Sequence, residues 1–249
     1  MDLEIATLAD RPDWVPLFDQ LDGFWPPFMS NDPTSGLYYG HHLSAYPDFV
    51  LLAIDRATGE PVAKAHSVPL SWDGDPAEGL PEGGWDWAIR TSAHDRLRGT
   101  APTIVSAIEI LIRPDRRSGG LSGRMLAAMR DNVAKRGFRD LVAPVRPSGK
   151  HEHLDMPIDE YAAWTRDDGL PVDPWLRVHV RAGGRIVNVA HTSMVIAARL
   201  AQWREWTGLP FDTTGAVRVP HALSPVYCDV AQDQAVYVEP NVWIHHRIA

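Results

Sequence analysis

Cysteine is almost missing from this chain: Cys228 stands alone among 249 residues. That excludes an intrachain disulfide and fits a reducing compartment. No run of about 18 consecutive apolar residues occurs, so no membrane-spanning helix is expected. The opening Met1-Asp2-Leu3-Glu4 lacks the positive charge of a secretory signal, and the expectation is a cytoplasmic protein without a membrane partner. Cations are outnumbered, 24 Lys and Arg against 32 Asp and Glu, for a net charge of −8. Such a balance gives no basic footprint for nucleic acid and tolerates a cationic ligand. Repeats and low-complexity segments are also absent. What remains is ordinary for a globular fold: 45% hydrophobic residues, enough to bury a core. Ten tryptophans are many for this length, and several lie beside Pro or Gly, where they can wall a pocket.

The most informative stretch runs from Thr103 to Gly137. Thr103 to Ile112 is almost continuously apolar and β-branched, the pattern of a strand covered on both faces. Pro114 removes a backbone donor and ends the ladder. Leu121, Met125, Leu126, Met129 and Val133 then form one apolar stripe at helical spacing, and Gly137 terminates it. Between strand and helix, Gly119, Gly120 and Gly123 allow a tight bend and leave amides uncovered. Free amides at a helix N-terminus make a phosphate site. No Lys follows these glycines, so the stretch is not a P-loop. Ser118 stands where a dinucleotide fingerprint needs its first Gly, and the loop lies mid-chain rather than after the first strand.

Ile112-Arg113-Pro114, followed by Arg117-Ser118-Gly119-Gly120-Leu121-Ser122, resembles the pyrophosphate loop of the GNAT superfamily of acyl-CoA-dependent N-acyltransferases. Ser122 replaces the usual Gly or Ala and is still small. The resemblance implies an α/β (α+β) fold with a mixed, mostly antiparallel central sheet flanked by helices. It implies acetyl-CoA or another acyl-CoA as co-substrate, held by Ile110, Leu111, Ile112 and the residues from Arg117 through Gly123. No metal is expected.

The rest of the chain follows the same order. Asp2 to Leu8 reads as a strand and Asp13 to Leu21 as a short helix. Gly23 to Met29 carries two prolines and cannot be regular helix. Phe49 to Ile54 and Val62 to Leu70 read as a hairpin. Asp73 to Pro102 reads as a long Gly/Pro-rich insertion of the lid or binding-loop kind. Leu141 to Val145 is a short strand and Pro157 to Arg166 a helix. Asp173-Pro174 through Gly184 has an N-cap, an N1 proline and terminal glycines. Arg185 to Val189 and Ser193 to Ala197 read as a hairpin. Residues 1–199 form the expected acyltransferase domain, and 200–249 an extension packed on it, with a short helix over Leu200 to Trp206 and two β-like runs around Glu239-Pro240-Asn241. A homodimer stays open.

Within the resemblance, Gly183-Gly184 falls on the closing Gly-Phe of the superfamily pattern and His179 on its Tyr, which protonates the leaving thiolate. A histidine titrates near neutrality and can act as acid or base; the alternative is a packed helical His. Val145-Arg146-Pro147-Ser148-Gly149-Lys150 and Asp173 through His179 also resemble the GNAT-like domains of polyketide loading modules. There a Thr, here Ser148, and the His are implicated in malonyl decarboxylation and acyl transfer to a carrier thiol. Glu109 lies in an apolar strand and must be paired, protonated or facing a wet cleft, which makes it a candidate base.

His41-His42, His151-Glu152-His153 and His245-His246 lack metal-ligand spacing, and no nucleophile elbow occurs. The reading that results is an acetyl-CoA-dependent N-acetyltransferase acting on an unknown small amine. The alternatives are a malonyl-CoA decarboxylase that passes its acyl group to a carrier thiol and a non-catalytic acyl-CoA-binding protein.

Overall fold

The computed structural model describes residues 2–117 and 119–248. Along the chain run β1 (Leu3–Thr7), α1 (Val15–Phe18), α2 (Pro33–Ala45), β2 (Val50–Asp55), β3 (Pro61–Leu70), α3 (Gly84–Arg98), β4 (Ile104–Ile112) and α4 (Leu121–Lys135). There follow β5 (Asp140–Val145), α5 (Ile158–Ala163), α6 (Pro174–Arg181), β6 (Arg185–Ala198), α7 (Leu200–Thr207), β7 (Gly215–Val217), β8 (Val226–Asp229) and β9 (Gln234–Arg247). The nine strands make one sheet in the order β1-β2-β3-β4-β5-β9-β8-β7, with β6 paired to β9. Every pairing is antiparallel except β4 with β5.

That exception shapes the site. β4 and β5 share only the pairs Val105↔Leu141 and Ser106↔Val142, then part. From Ala107 to Ile112 the edge of β4 that faces β5 has, among the described residues, no strand against it, and a gap opens in the sheet. Beside it, the register of β3 on β4 slips: His66 pairs Glu109, and Ser67 pairs Ala107. Ile108 is the extra residue of this bulge, which re-aims the side chains that follow.

Alternation along the strands divides the interior into two faces. Val50, Leu52, Ile54 and Leu111 pack against Trp14, Phe18 and Leu21 around α1, while Val68, Leu70, Ile104 and Ile108 pack on the same face with Trp85, Ala88 and Ile89 of α3. On the opposite face, Ala63, Ala65, Val105, Ala107, Leu141 and Ala143 pack against Met125 and Met129 of α4 and Leu176 of α6.

Three expectations need correction. The insertion from Asp73 to Pro102 is not a structureless loop, because α3 occupies half of it. Its buried Trp85, Ala88, Ile89 and Ser92 have helical spacing, which the glycines and prolines ahead of Gly84 obscure. Arg185 to Ala197 is not a hairpin but one 14-residue strand, β6, bulged between Ile186 and Val189 and again between Ala190 and Met194. The chain past Arg199 is not an appendage: β9 pairs β5 at residues 242–247 and runs along β6, so it lies inside the sheet. Pro240 is tolerated there because it faces the second β6 bulge and lies between the reaches of β5 and β8, where no amide donor is needed.

Two further helices differ in extent. Asp13 to Leu21 is a broken run of short turns around Val15–Phe18, and α5 ends at Ala163, short of Arg166. α2 arises in a region without a readable motif, capped by Asp32, whose side chain accepts from Ser35 N–H.

Candidate active site

The loop between β4 and α4 is built as the sequence implies. Gly119 and Gly120 have φ of 90° and 74°, conformations that disfavour side chains. Gly120 is the N-cap of α4 and, among the described residues, no side chain caps the helix, so its first amides are left for a ligand. A Cβ built on Gly119, Gly120 or Gly123 meets nothing within 4 Å, so the cradle is open. Arg117, Gly119 and Gly120 are exposed, Ser122 and Gly123 half-buried, and Leu121 is buried as the first residue of the apolar stripe. Ser118 lies outside the described residues. Ile110 and Ile112 face α4, whereas Leu111 packs on the other face and can offer a ligand in the gap only its backbone. These features fit a pyrophosphate on the amides and an extended chain along the free edge of β4.

Glu109 lies just past the bulge, on the face of α1 to α3, and is 8% exposed. Trp25 Nε1–H donates to its Oε1 at 2.7 Å, and the Tyr39 phenol donates to Oε2. Lys64 Nζ, 2% exposed, stands 3.6 Å from Oε2 and 2.6 Å from Asp22 Oδ1. Lys64 also sits 4.3 Å over the Phe18 ring. Burial and the Glu109 charge push the Tyr39 hydroxyl well above its usual value, so it stays a donor. His66 pairs Glu109 across β3 and is fully buried with both ring nitrogens unpartnered. Burial drives its pKa down to about 3, with His42 and Lys64 adding to the fall, and it is neutral. The carboxylate is therefore held by two neutral donors and one cation. Asp22, 62% exposed, and the neighbouring Asp19 add negative charge near Tyr39.

Only Glu109 of this cluster was singled out from sequence. Trp25, Tyr39, Lys64, His66 and Asp22 were not. A readable signal did exist: Lys64 and His66 interrupt an otherwise apolar strand at period two, on the face that carries Glu109.

His179 lies on the opposite face. It is 1% exposed, packs on Trp175 with ring centroids 4.5 Å apart, and shares a 2.9 Å hydrogen bond between its Nδ1 and His246 Nε2. His246 pairs Leu141, level with the closed end of the gap. Burial, then His246, holds the His179 pKa well below 6.5; burial, then Arg130, lowers that of His246 to about 4. Both rings are neutral near pH 7, and a neutral imidazole has no acidic proton to give a thiolate. The expected acid role does not follow from this environment.

Ser148 is exposed in the turn that follows β5. It and His179 are not brought together: the adjacent Gly149 N–H donates to the N-cap Asp173, and His179 is six residues further, about 9 Å of helix rise. Arg146 and Lys150, part of the same motif, serve as ties. Arg146 bonds Glu239 at 2.9 Å, and Lys150 Nζ donates to the carbonyls of His153 and Leu223.

No family model matches the chain. The arginine N-acetyltransferase avaD of Aspergillus versicolor is 33% identical over 98% of this chain and 93% of its own length. The loading GNATL domain of CurA from Lyngbya majuscula aligns with a TM-score of 0.59 at 16% identity, over 99% of this chain and 97% of that one. The GphF GNAT-like decarboxylase in complex with isobutyryl-CoA aligns at 0.54 and 13%, over 100% of both chains. At such identities these two structures speak for the fold alone. No described helix is long and apolar enough to cross a membrane. A relative of this identity along nearly the whole chain, together with the glycine loop and the parted β4–β5 pair, shows that the chain belongs to the GNAT superfamily, as an acyl-CoA-dependent N-acetyltransferase that transfers an acetyl group to an amine.

Proposed function

We propose that the acceptor is a small cationic amine of the arginine type, and that Glu109 takes its proton. One observation carries the reading: a buried carboxylate stands at the bulge beside the gap, held by Trp25 and Tyr39 and faced by Lys64. The acidic mouth at Asp19 and Asp22 favours a cationic visitor, and the arginine N-acetyltransferase relative agrees with that chemistry.

In this reading the acyl-CoA pyrophosphate rests on the amides from Arg117 through Gly123. The pantetheine follows Ile110, Leu111 and Ile112, so the thioester reaches the gap next to Glu109. The acceptor comes from the face of α2 and displaces Trp25, the more exposed of the two donors. Its proton passes to Glu109 as the nitrogen attacks the thioester carbonyl. The carbon–sulfur bond breaks, the amide forms and the thiolate is protonated from water in the gap. His179 and Ser148 take no part in proton transfer; His179 supports the floor of the site through His246.

The test is CoA release from acetyl-CoA with L-arginine, agmatine and L-ornithine as acceptors, with products identified by mass. N-acetylated products are expected, and malonyl-CoA alone is expected to stay intact. Turnover confined to a thiol acceptor, or decarboxylation of malonyl-CoA, would overturn the reading.

A further inference from the structure

Two carboxylates outside the Glu109 cluster each keep one buried oxygen without a hydrogen-bond partner, although the Thr34 side chain and the Val195 backbone act on Asp86. Asp32 is 1% exposed and Asp86 6%. Oδ1 of each is buried without a hydrogen-bond partner. Asp32 spends its other oxygen on the N-terminus of α2, accepting from Ser35 N–H at 2.6 Å. Asp86 sits in the first turn of α3. The Asp32 charge bears on Asp86, Glu239 bears on Asp32, and Arg90 acts on both. Arg90 is exposed and directs its Nε–H to the Asp86 backbone carbonyl at 3.0 Å, not to a carboxylate. Two electrostatically coupled buried acids, each with an unpartnered oxygen, are costly unless a donor carrying positive charge joins them.

The position of the pair connects it to the reacting centre. Asp32 and Tyr39 lie on the same side of α2, seven residues or about 10 Å apart, and Tyr39 holds Glu109. Trp85, the residue before Asp86, donates Nε1–H to the carbonyl of Ile108 in the bulge beside Glu109. Its own N–H is held by Ser193 Oγ at 2.8 Å. That close approach is possible because residue 84 is Gly: a Cβ there would stand 2.1 Å from Ser193 Oγ. Thus α2 carries one Glu109 donor, Tyr39, with one of the acids at its N-cap, and α3 carries the other acid beside its tie to the bulge.

We propose that Asp32 and Asp86 form the distal subsite of the acceptor site and bind its guanidinium group. This rests on the reading of Glu109 as the end that receives the amine. A planar guanidinium offers parallel N–H donors to two carboxylates at once, which a compact ammonium cannot match. An amine and a guanidinium joined by a short aliphatic chain fit the interval along α2. Arg90 is then the group that partly neutralises the pair when the subsite is empty, and an incoming guanidinium competes with it.

The experiment measures L-arginine and L-citrulline binding to the full chain by calorimetry, together with KM and kcat for acetylation. Citrulline keeps the shape and replaces the cation with a neutral urea. The wild type is expected to bind arginine at least tenfold more tightly than citrulline. Asp86→Asn is expected to weaken arginine about tenfold to a hundredfold, to raise its KM more than it lowers kcat, and to leave citrulline unchanged. Asp32→Asn should do the same while still capping α2, since Asn also accepts at an N-cap. Arg90→Gln, at an exposed site that does not threaten folding, should tighten arginine severalfold. Equal binding of arginine and citrulline by the wild type, or unchanged arginine binding in both Asp86→Asn and Arg90→Gln, would overturn the subsite. Selective arginine binding without acetylation would leave the subsite standing and remove the acceptor reading. Arginine acetylation with no discrimination against citrulline would do the reverse.

Discussion

The two faces of the sheet bury histidines to the same depth and treat charge in opposite ways. On the α2 face, His66 is neutral but stands with Glu109, Lys64 and Asp22, a chain of charges in alternating sign with phenol and indole donors. On the α6 face, among the described residues, the His179 and His246 rings bond only one another, in a surround of Trp175, Leu176 and Ile244. Burial alone does not mark a catalytic group. A proton-transfer group needs neighbours that stabilise it in both protonation states, and only the first face supplies them. The gap between β4 and β5 is where the faces meet, so the proposed phosphate loop and acceptor cluster would reach one reaction from opposite sides.

The contrast breaks most visibly at Lys64. Lys64→Met removes a buried ammonium and leaves Glu109 without its cation, which is expected to cost about 3–5 kcal/mol in denaturant unfolding. His179→Phe, close in volume and made in a neutral pair, is expected to cost less than about 1.5 kcal/mol. Similar losses in the two variants would erase the electrostatic distinction.

Acid sharpens it next. His66, His179 and His246 have folded pKa values below their unfolded value of 6.5. Below pH 6.5 the unfolded chain therefore binds protons that the native state does not, and stability falls with pH at about 1.4 kcal/mol per unit per group. The fall continues to about pH 4 for His246 and about 3 for His66. Asp86, raised to about 7 by burial and Asp32, opposes it, because its native form takes up a proton first. Four lowered histidines, His42 among them, against Asp86 and the likewise raised Asp32 predict a lower thermal midpoint at pH 4.5 than at pH 6.5. A midpoint that stays level or rises, or a slope unchanged in His246→Phe, would show that these rings do not titrate as their burial requires.

The smallest expected effect tests the α4 side of the gap. Ser122→Glu places a carboxylate in the first turn of the helix, where the dipole favours it by about 0.3–1 kcal/mol. It also repels a pyrophosphate on the same amides. CoA affinity is expected to fall about tenfold or more, equivalent to at least ~1.4 kcal/mol, with thermal stability kept or raised. This separates binding from folding better than Gly120→Val, which would force a β-branched side chain to a φ of 74°. CoA binding unchanged in Ser122→Glu would move the pyrophosphate off this loop.

Sequence reading succeeded where one segment determines its own structure. The β4 run, the glycine turn and the α4 stripe need no distant partner, and neither does the Asp173 cap, whose side chain accepts from Trp175 and Leu176 N–H. It failed where structure depends on pairing across the chain. The bulges of β6 disrupt its alternation, and only β9 alongside makes it one strand. Pro240 argues against a central strand until the bulge opposite it is seen. Glu109 was legible as a polar residue in an apolar run, but Trp25 and Tyr39 come from 84 and 70 residues away, beyond any local pattern. The register that put His179 on a catalytic position carried no information about the burial and the His246 partner that keep it neutral.

The most direct measurement compares Glu109→Gln with His179→Phe in single-turnover acetyl transfer from acetyl-CoA to L-arginine, with both variants shown to be folded and to bind CoA. General acid–base catalysis contributes roughly 10²–10⁴-fold. With Glu109 as the base, Glu109→Gln loses about that factor and His179→Phe stays within about threefold of wild type. A loss of that size in His179→Phe, with Glu109→Gln near wild type, would put the acid–base chemistry on the other face of the sheet.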